Sequence, residues 1–138
     1  MFIPRYLFLA SLLLGAASSA FADSAACQSC HASEYANWQG SHHDLAMQLP
    51  TPDTVLGDFD NATFEYNGIT TRFFREGDEY HVRTDGEDGK LTDFKVSYVF
   101  GVYPLQQYLL PLSRGRLQAL SIAWDARPED EGGQRWYH

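Results

Sequence analysis

The chain has 138 residues, 44% of them apolar and 20% charged, which is the size of one domain. Ten lysines and arginines stand against 18 aspartates and glutamates, a formal charge of −8. Such a chain is excluded from binding nucleic acid through a basic, phosphate-contacting surface, and its acidity favours basic partners instead.

The predicted elements begin with a leader. Residues 1–5 hold Arg5, the only charge before Asp23; Tyr6–Ala16 is an apolar run, and small residues follow down to Ala20-Phe21-Ala22. That is the tripartite pattern of a secretory signal, with cleavage expected after Ala22. The apolar run of about 11 residues falls short of the roughly 20 that span a bilayer, so no stable membrane span is expected after cleavage. A retained amphiphilic anchor and a cytoplasmic core segment are the alternatives. Residues 23–138 are thus expected in the periplasm, with nine basic residues against 18 acidic ones once Arg5 is gone.

The only two cysteines follow at once, in Cys27-Gln28-Ser29-Cys30-His31. A disulfide between them would close a very short loop and constrain the unfolded chain little. A thioredoxin-like redox pair would follow a central strand, and no strand precedes these residues. A zinc site would need further thiolate or imidazole ligands. Cys-x-x-Cys-His is also the attachment motif of a covalent c-type haem. Two thiols one turn apart reach the two vinyl groups of one macrocycle, and the adjacent imidazole approaches the iron. We therefore read one haem c, bound by Cys27, Cys30 and His31, with His31 as an axial ligand. Export agrees with this, because such attachment happens on the outer side of the energy-conserving membrane.

Glu34, Tyr35 and Trp38 fit a short helix continuing from the motif, interrupted at Gly40-Ser41. Ser41, with Asp44 three residues on, has the form of a capping box. It opens a second short helix over about 42–48 that Pro50 and Pro52 end. From about Ala62 the texture changes to strands and turns. Asn67-Gly68 is a hairpin turn between 64–66 and 69–74, and Gly77-Asp78 is a second. Tyr80 and Val82 face one way along the next strand, His81 and Arg83 the other. Residues 85–90 form a charged loop; Asp85, Glu87 and Asp88 lack the spacing of a calcium loop and read as a solvated turn. Phe94–Val102 is the next strand, with Val96, Tyr98 and Phe100 on one side. Pro104 bends the chain, Tyr108–Leu112 is a short strand and Ser113–Gly115 its turn. Arg116–Trp124 returns, with Leu120, Ile122 and Trp124 alternating against Ser121, Ala123 and Asp125. Residues 127–133 are a charged loop, and the aromatic Gln134–His138 does not resemble a frayed end.

The expected fold class is α+β. A small helical haem-binding segment, 23–52, is followed by an antiparallel, hairpin-rich region of five or six strands, 60–138, within one domain. The residues leave the second axial ligand open among His43, His42, Met47, His81 and none from this chain. Histidine there would give a low-spin electron-transfer centre, and methionine would raise the potential. No phosphate loop, nucleophile elbow or metalloprotease motif is present, so no catalytic residue is named.

The stretch CQSCHASEYANWQGSHHDLAM resembles the opening haem segment of the multihaem cytochromes of the c-552/c-554 type, where the haem motif is followed by Trp-x-x-Ser-x-His-x-x-Ala-Met. Here those positions are Trp38, Ser41, His43, Ala46 and Met47. Phe100-Gly101, the run Pro104–Leu109, the run Gly115–Leu120 and Ala123-Trp124-Asp125 are similar to a bacterial subset in which several haem motifs precede tetratricopeptide repeats. The resemblance implies that His43, rather than His42, is a haem ligand, sometimes for a neighbouring haem of the same chain. It also implies that this chain, with one motif, corresponds to the N-terminal part of such proteins. The expected function is that of an extracytoplasmic c-type cytochrome domain carrying one haem for electron transfer, more an electron carrier than an enzyme by itself. Its partner would be a redox protein, including other cytochromes. The alternatives are a module of a multihaem reductase or oxidase, and a partner-binding domain with a structural haem.

Overall fold

A computed structural model describes residues 24–138, so the leader and its cleavage site, read at residues 1–22, lie outside the described residues. A 3-10 turn, Ser24–Cys27, leads into α1 (Ala32–Trp38), the one α-helix among the described residues. The helix closes where the Gln39 N–H donates to Tyr35 O and Gly40 takes a positive φ of 70°, a conformation that costs glycine nothing. None of the residues of α1 is buried; Tyr35 and Trp38 are half-buried, with ring centroids 6.1 Å apart.

The second helix expected over 42–48 is not formed. Only one 3-10 turn, Asp44–Ala46, precedes a short strand, β1 (Met47–Gln48). The capping interaction survives in altered form. Ser41 Oγ accepts the Asp44 N–H at 3.4 Å, while the Asp44 carboxylate accepts the Gly40 N–H at 2.9 Å. Tertiary pairing overrides helix propensity here, because Met47 and Gln48 find ladder partners in Phe100 and Val99.

Strands β2 (Ala62–Tyr66), β3 (Ile69–Glu76), β4 (Glu79–Asp85) and β5 (Leu91–Lys95) form a four-stranded antiparallel meander in chain order. Asn67 and Gly68, with φ of 50° and 76°, make the expected tight turn between Tyr66 and Ile69. Alternation holds along β4, where Tyr80, Val82 and Thr84 are buried and His81 and Arg83 point away.

The second sheet has six strands. These are β1, β6 (Tyr98–Phe100), β7 (Leu105–Pro111), β8 (Leu117–Ala119), β9 (Ala123–Asp125) and β10 (Arg135–Tyr137), ordered β1-β6-β7-β9-β10 with β8 also on β7. The described residues therefore hold ten strands in two sheets rather than five or six. Two single strands read from the sequence are each divided. In the first, Val96 N–H donates to Tyr80 O in one sheet, and Ser97 N–H donates to Leu109 O in the other. The chain changes sheets at that point and the facing resets: Val96 and Val99 are buried, and Phe100 is exposed. In the second, β8 pairs Ala119 with Leu109, whereas β9 pairs Asp125 with Leu105. The return strand carries two extra residues as a bulge. A two-residue bulge preserves side-chain parity, so Leu120, Ile122 and Trp124 still share the core as expected. Ala123 and Asp125 are buried as well.

Side chains of both sheets meet in one core around Phe59. Its ring lies edge-on to Phe73, Tyr80, Tyr108 and Trp136, with centroids 5.0–5.7 Å away. One helix ahead of antiparallel sheets makes the architecture α+β, as expected.

A buried polar clamp ties residues 54–57 to β7. Gln106 Oε1 accepts from Leu56 N–H and from the Tyr108 hydroxyl, each at 2.8 Å, and Gln106 Nε2 donates to Thr54 O at 2.9 Å. The Tyr108 hydroxyl accepts the Gly57 N–H at 3.0 Å. Burial keeps the Tyr108 phenol far above its ordinary range, so it stays a hydrogen-bonding hydroxyl at any working pH. A Cβ on Gly57 would stand 2.5 Å from that hydroxyl and 2.7 Å from the Trp136 ring. Gly57→Ala is therefore expected to cost about 1–3 kcal/mol by overpacking, read as a lowered urea midpoint with unchanged slope. Gly40→Ala, with nothing near its Cβ but a φ of 70°, is the contrasting case, in which any cost is backbone strain without overpacking.

Asp125, nearly fully buried in β9, accepts the Arg127 guanidinium on both oxygens. That pairing holds its carboxyl down at about 2. In the unfolded chain the same group protonates near pH ~3.9. Its stabilising contribution is therefore complete above that value and is lost as pH falls toward 2. Asp125→Asn is expected to show a shallower loss of stability than the parent over pH 4 to 2, measured by urea unfolding at each pH. Equal slopes would remove Asp125 from the acid response.

Candidate functional site

The turn that carries the cysteines is set by one carbonyl. Cys27 O accepts the N–H of Cys30 at 3.2 Å and of His31 at 2.9 Å. Cys27 and Cys30 are thereby one turn apart, and both thiols are free and exposed. His31 occupies the N-cap of α1, where its carbonyl accepts the Tyr35 N–H at 2.8 Å, but its side chain makes no capping bond. The imidazole is left outside the helix's own hydrogen bonding. Beside it runs a groove of about 280 Å³, lined by Ser24, Cys27, His31, Glu34, Tyr35 and Trp38. Its own backbone N–H and the Ser33 hydroxyl, which donates at 2.8 Å, hold the Glu34 carboxyl below its usual range. It is therefore a fixed negative charge at the groove's rim.

The five histidines separate by what they touch. The His42 ring lies 6.4 Å from Tyr103. His81 stacks on Phe74 at 5.5 Å, its Nε2 3.4 Å from Glu79 and 3.9 Å from Glu76. His138 stacks on Tyr66 at 3.6 Å. The imidazoles of His31 and His43, both exposed, have no hydrogen-bond, ion-pair or ring partner among the described residues. Met47 is exposed on β1, opposite Phe100. The structure thus gathers Cys27, Cys30 and His31 on one turn, and places His42 and His43 within the Gly40–Asp44 cap and Met47 beyond it. His81 sits in the four-stranded sheet.

The aromatic wall went unrecognised in the sequence as part of the site. Its signal was there: Cys27, His31, Tyr35 and Trp38 recur at spacings of four, four and three, one stripe of a helical surface. Among the described residues no three His, Cys, Asp or Glu side chains gather to hold a metal ion. The donor set that is present, two accessible thiols and an uncommitted imidazole beside an apolar wall, fits a covalently held haem.

Two exposed thiols and an imidazole on one turn are similar to the donor set of a haem c attachment motif. Residues 26–64 match the family model described as cytochrome c554 and c-prime, and the match supports a c-type cytochrome family. Its span runs from the cysteine turn through the Ser41–Asp44 cap and the Gln106-bound connection into β2. Neither the curated proteins nor the solved structures contain a significant match. The family implies covalent haem c and is typically extracytoplasmic; no helix among the described residues is long and apolar enough to cross a membrane.

Proposed function

We propose that this protein is an extracytoplasmic electron-transfer domain that holds one haem c through thioether bonds to Cys27 and Cys30, with His31 and His43 as the axial ligands. The observation that carries the reading is the single exposed turn on which two free thiols adjoin an imidazole that nothing else engages. Bound there, the haem would supply reversible one-electron chemistry. Tyr35 and Trp38 would pack against it and exclude water from one side, and the Glu34 carboxylate would favour the oxidised, more positive centre. Of the candidates for the second ligand, His42 is packed at Tyr103 and His81 is held between Phe74 and two carboxylates, whereas His43 is uncommitted. Two imidazoles would leave no open coordination position, so transfer of electrons to a redox partner, rather than substrate chemistry, is the activity this arrangement favours.

The test is the visible spectrum of oxidised holoprotein made in a host competent for cytochrome maturation. A low-spin spectrum without a high-spin charge-transfer band is expected, and His43→Ala should introduce that band. A spectrum untouched by the substitution removes His43 from the iron. A high-spin parent would replace the carrier reading with that of a module of a reductase or oxidase.

A further inference from the structure

We infer that the exposed apolar face formed by Met47, Phe100, Tyr103 and Leu105 is the docking surface for a redox partner protein, one with an apolar centre and a basic rim. The inference rests on the electron-transfer reading and names the surface that serves it. These four side chains are 52%, 42%, 50% and 43% exposed. Ladder register sets Met47 directly against Phe100. Phe100 and Leu105 bracket a tight loop that Gly101 makes possible. With a φ of 87°, Gly101 lets the chain double back so closely that a Cβ would meet Leu105 O at 2.6 Å. Three large exposed side chains on strand ends and Tyr103 in the loop between them, gathered this way, mark an interaction site rather than scattered surface residues.

The face is continuous with the haem segment. Gly101 N–H donates to Ala46 O at 2.8 Å, and Tyr103 lies 6.4 Å from the ring of His42, next to His43. Whatever docks on it stands beside the segment that would carry the haem.

The charge around the face defines the partner. Arg127, whose guanidinium is within electrostatic reach of both Tyr103 and Glu131, is already spent on Asp125. Beyond it Glu129, Asp130 and Glu131 form an exposed acidic turn. That turn is held to the face through its base, where Ala126 N–H donates to Pro104 O at 2.8 Å. Apolar centre and acidic border, on a chain of net charge −8, select a partner of opposite rim charge and speed its encounter.

The experiment uses the haem-loaded protein and a lysine-rich cytochrome c as the probe, with electron exchange followed by stopped flow at low and high salt. Phe100→Lys and Phe100→Ala are compared with Leu91→Lys, which places the same charge at a half-exposed position of β5 in the other sheet. The second-order rate of the parent should fall with salt. Phe100→Lys should lower it by about tenfold at low salt, Phe100→Ala should lower it less, and Leu91→Lys should leave it within about twofold. Equal rates for Phe100→Lys and Leu91→Lys would overturn the docking surface. So would a changed haem spectrum in Phe100→Lys, which would mean that the haem itself covers this face. Absence of covalent haem from the parent would instead strike the functional reading on which the surface rests.

Discussion

Converting both Cys27 and Cys30 to serine is expected to abolish haem retention under denaturing conditions while leaving the two sheets folded. The first half follows from the chemistry of attachment. With neither thiol, the only protein bond left to the iron on this turn would come from His31, on a groove of about 280 Å³ that is open on the surface. That is below the roughly 300–1,000 Å³ of pockets that enclose a ligand by shape alone. Intact-mass measurement of the denatured protein should show the added mass of one macrocycle in the parent and none in the double variant. Either single variant should keep one thioether and a reduced yield. The second half follows from burial. No described residue before Phe59 is buried, so the attachment segment adds nothing to the core. Far-ultraviolet circular dichroism of the haem-free variant should retain the strand signal, and its urea midpoint should stay close to that of the parent. An unfolded double variant would show that the core depends on the attached haem for its folding.

Trp136→Ala should do the opposite: keep the attachment chemistry and weaken the fold that presents it. Trp136 lies on β10, 8% exposed, stacked face to face on Phe73 at 3.5 Å and in ring contact with Phe59, Tyr108 and Trp124. Its ring therefore bridges the two sheets. Removing a buried tryptophan costs about 3–5 kcal/mol in lost transfer energy and cavity, against a total stability of about 5–15 kcal/mol for a domain. Trp136→Phe keeps much of the stacking and loses no hydrogen bond, since the buried indole N–H has no partner among the described residues. Urea unfolding should place the phenylalanine variant between parent and alanine variant. A shift of under about 1 kcal/mol for Trp136→Ala would mean that β10 contributes little to the core.

Several elements were legible in the chain because their cause is local. The Asn67-Gly68 turn needs two positive φ angles and has the residues that accept them. The β4 alternation of Tyr80, Val82 and Thr84 and the short helix after the haem motif are equally local. The division of Phe94–Val102 was illegible because consecutive residues there bond in opposite directions along the chain, Val96 back to Tyr80 and Ser97 forward to Leu109. The helix expected over 42–48 failed for the same reason, since its last residues are captured by β6. At the site, a motif with its own chemical logic announced Cys27, Cys30 and His31. The wall of Tyr35 and Trp38 needed the helical stripe to be drawn out before it could be seen.

By itself, the order of residues determined the donor set, its place ahead of the strands, the hairpin turns and the inward-facing side of the return strand. These depend on spacings of one turn or one pleat, and so on neighbours within a few positions. Only the tertiary structure decided how the strands divide between two sheets. It also decided that Gln106 clamps the connection to β7, and that Met47, Phe100, Tyr103 and Leu105 share one exposed face. Those outcomes depend on hydrogen bonds and contacts between residues up to some 50 positions apart, such as Leu56 with Gln106. No local pattern encodes them, because each becomes favourable only once the other strands are in place.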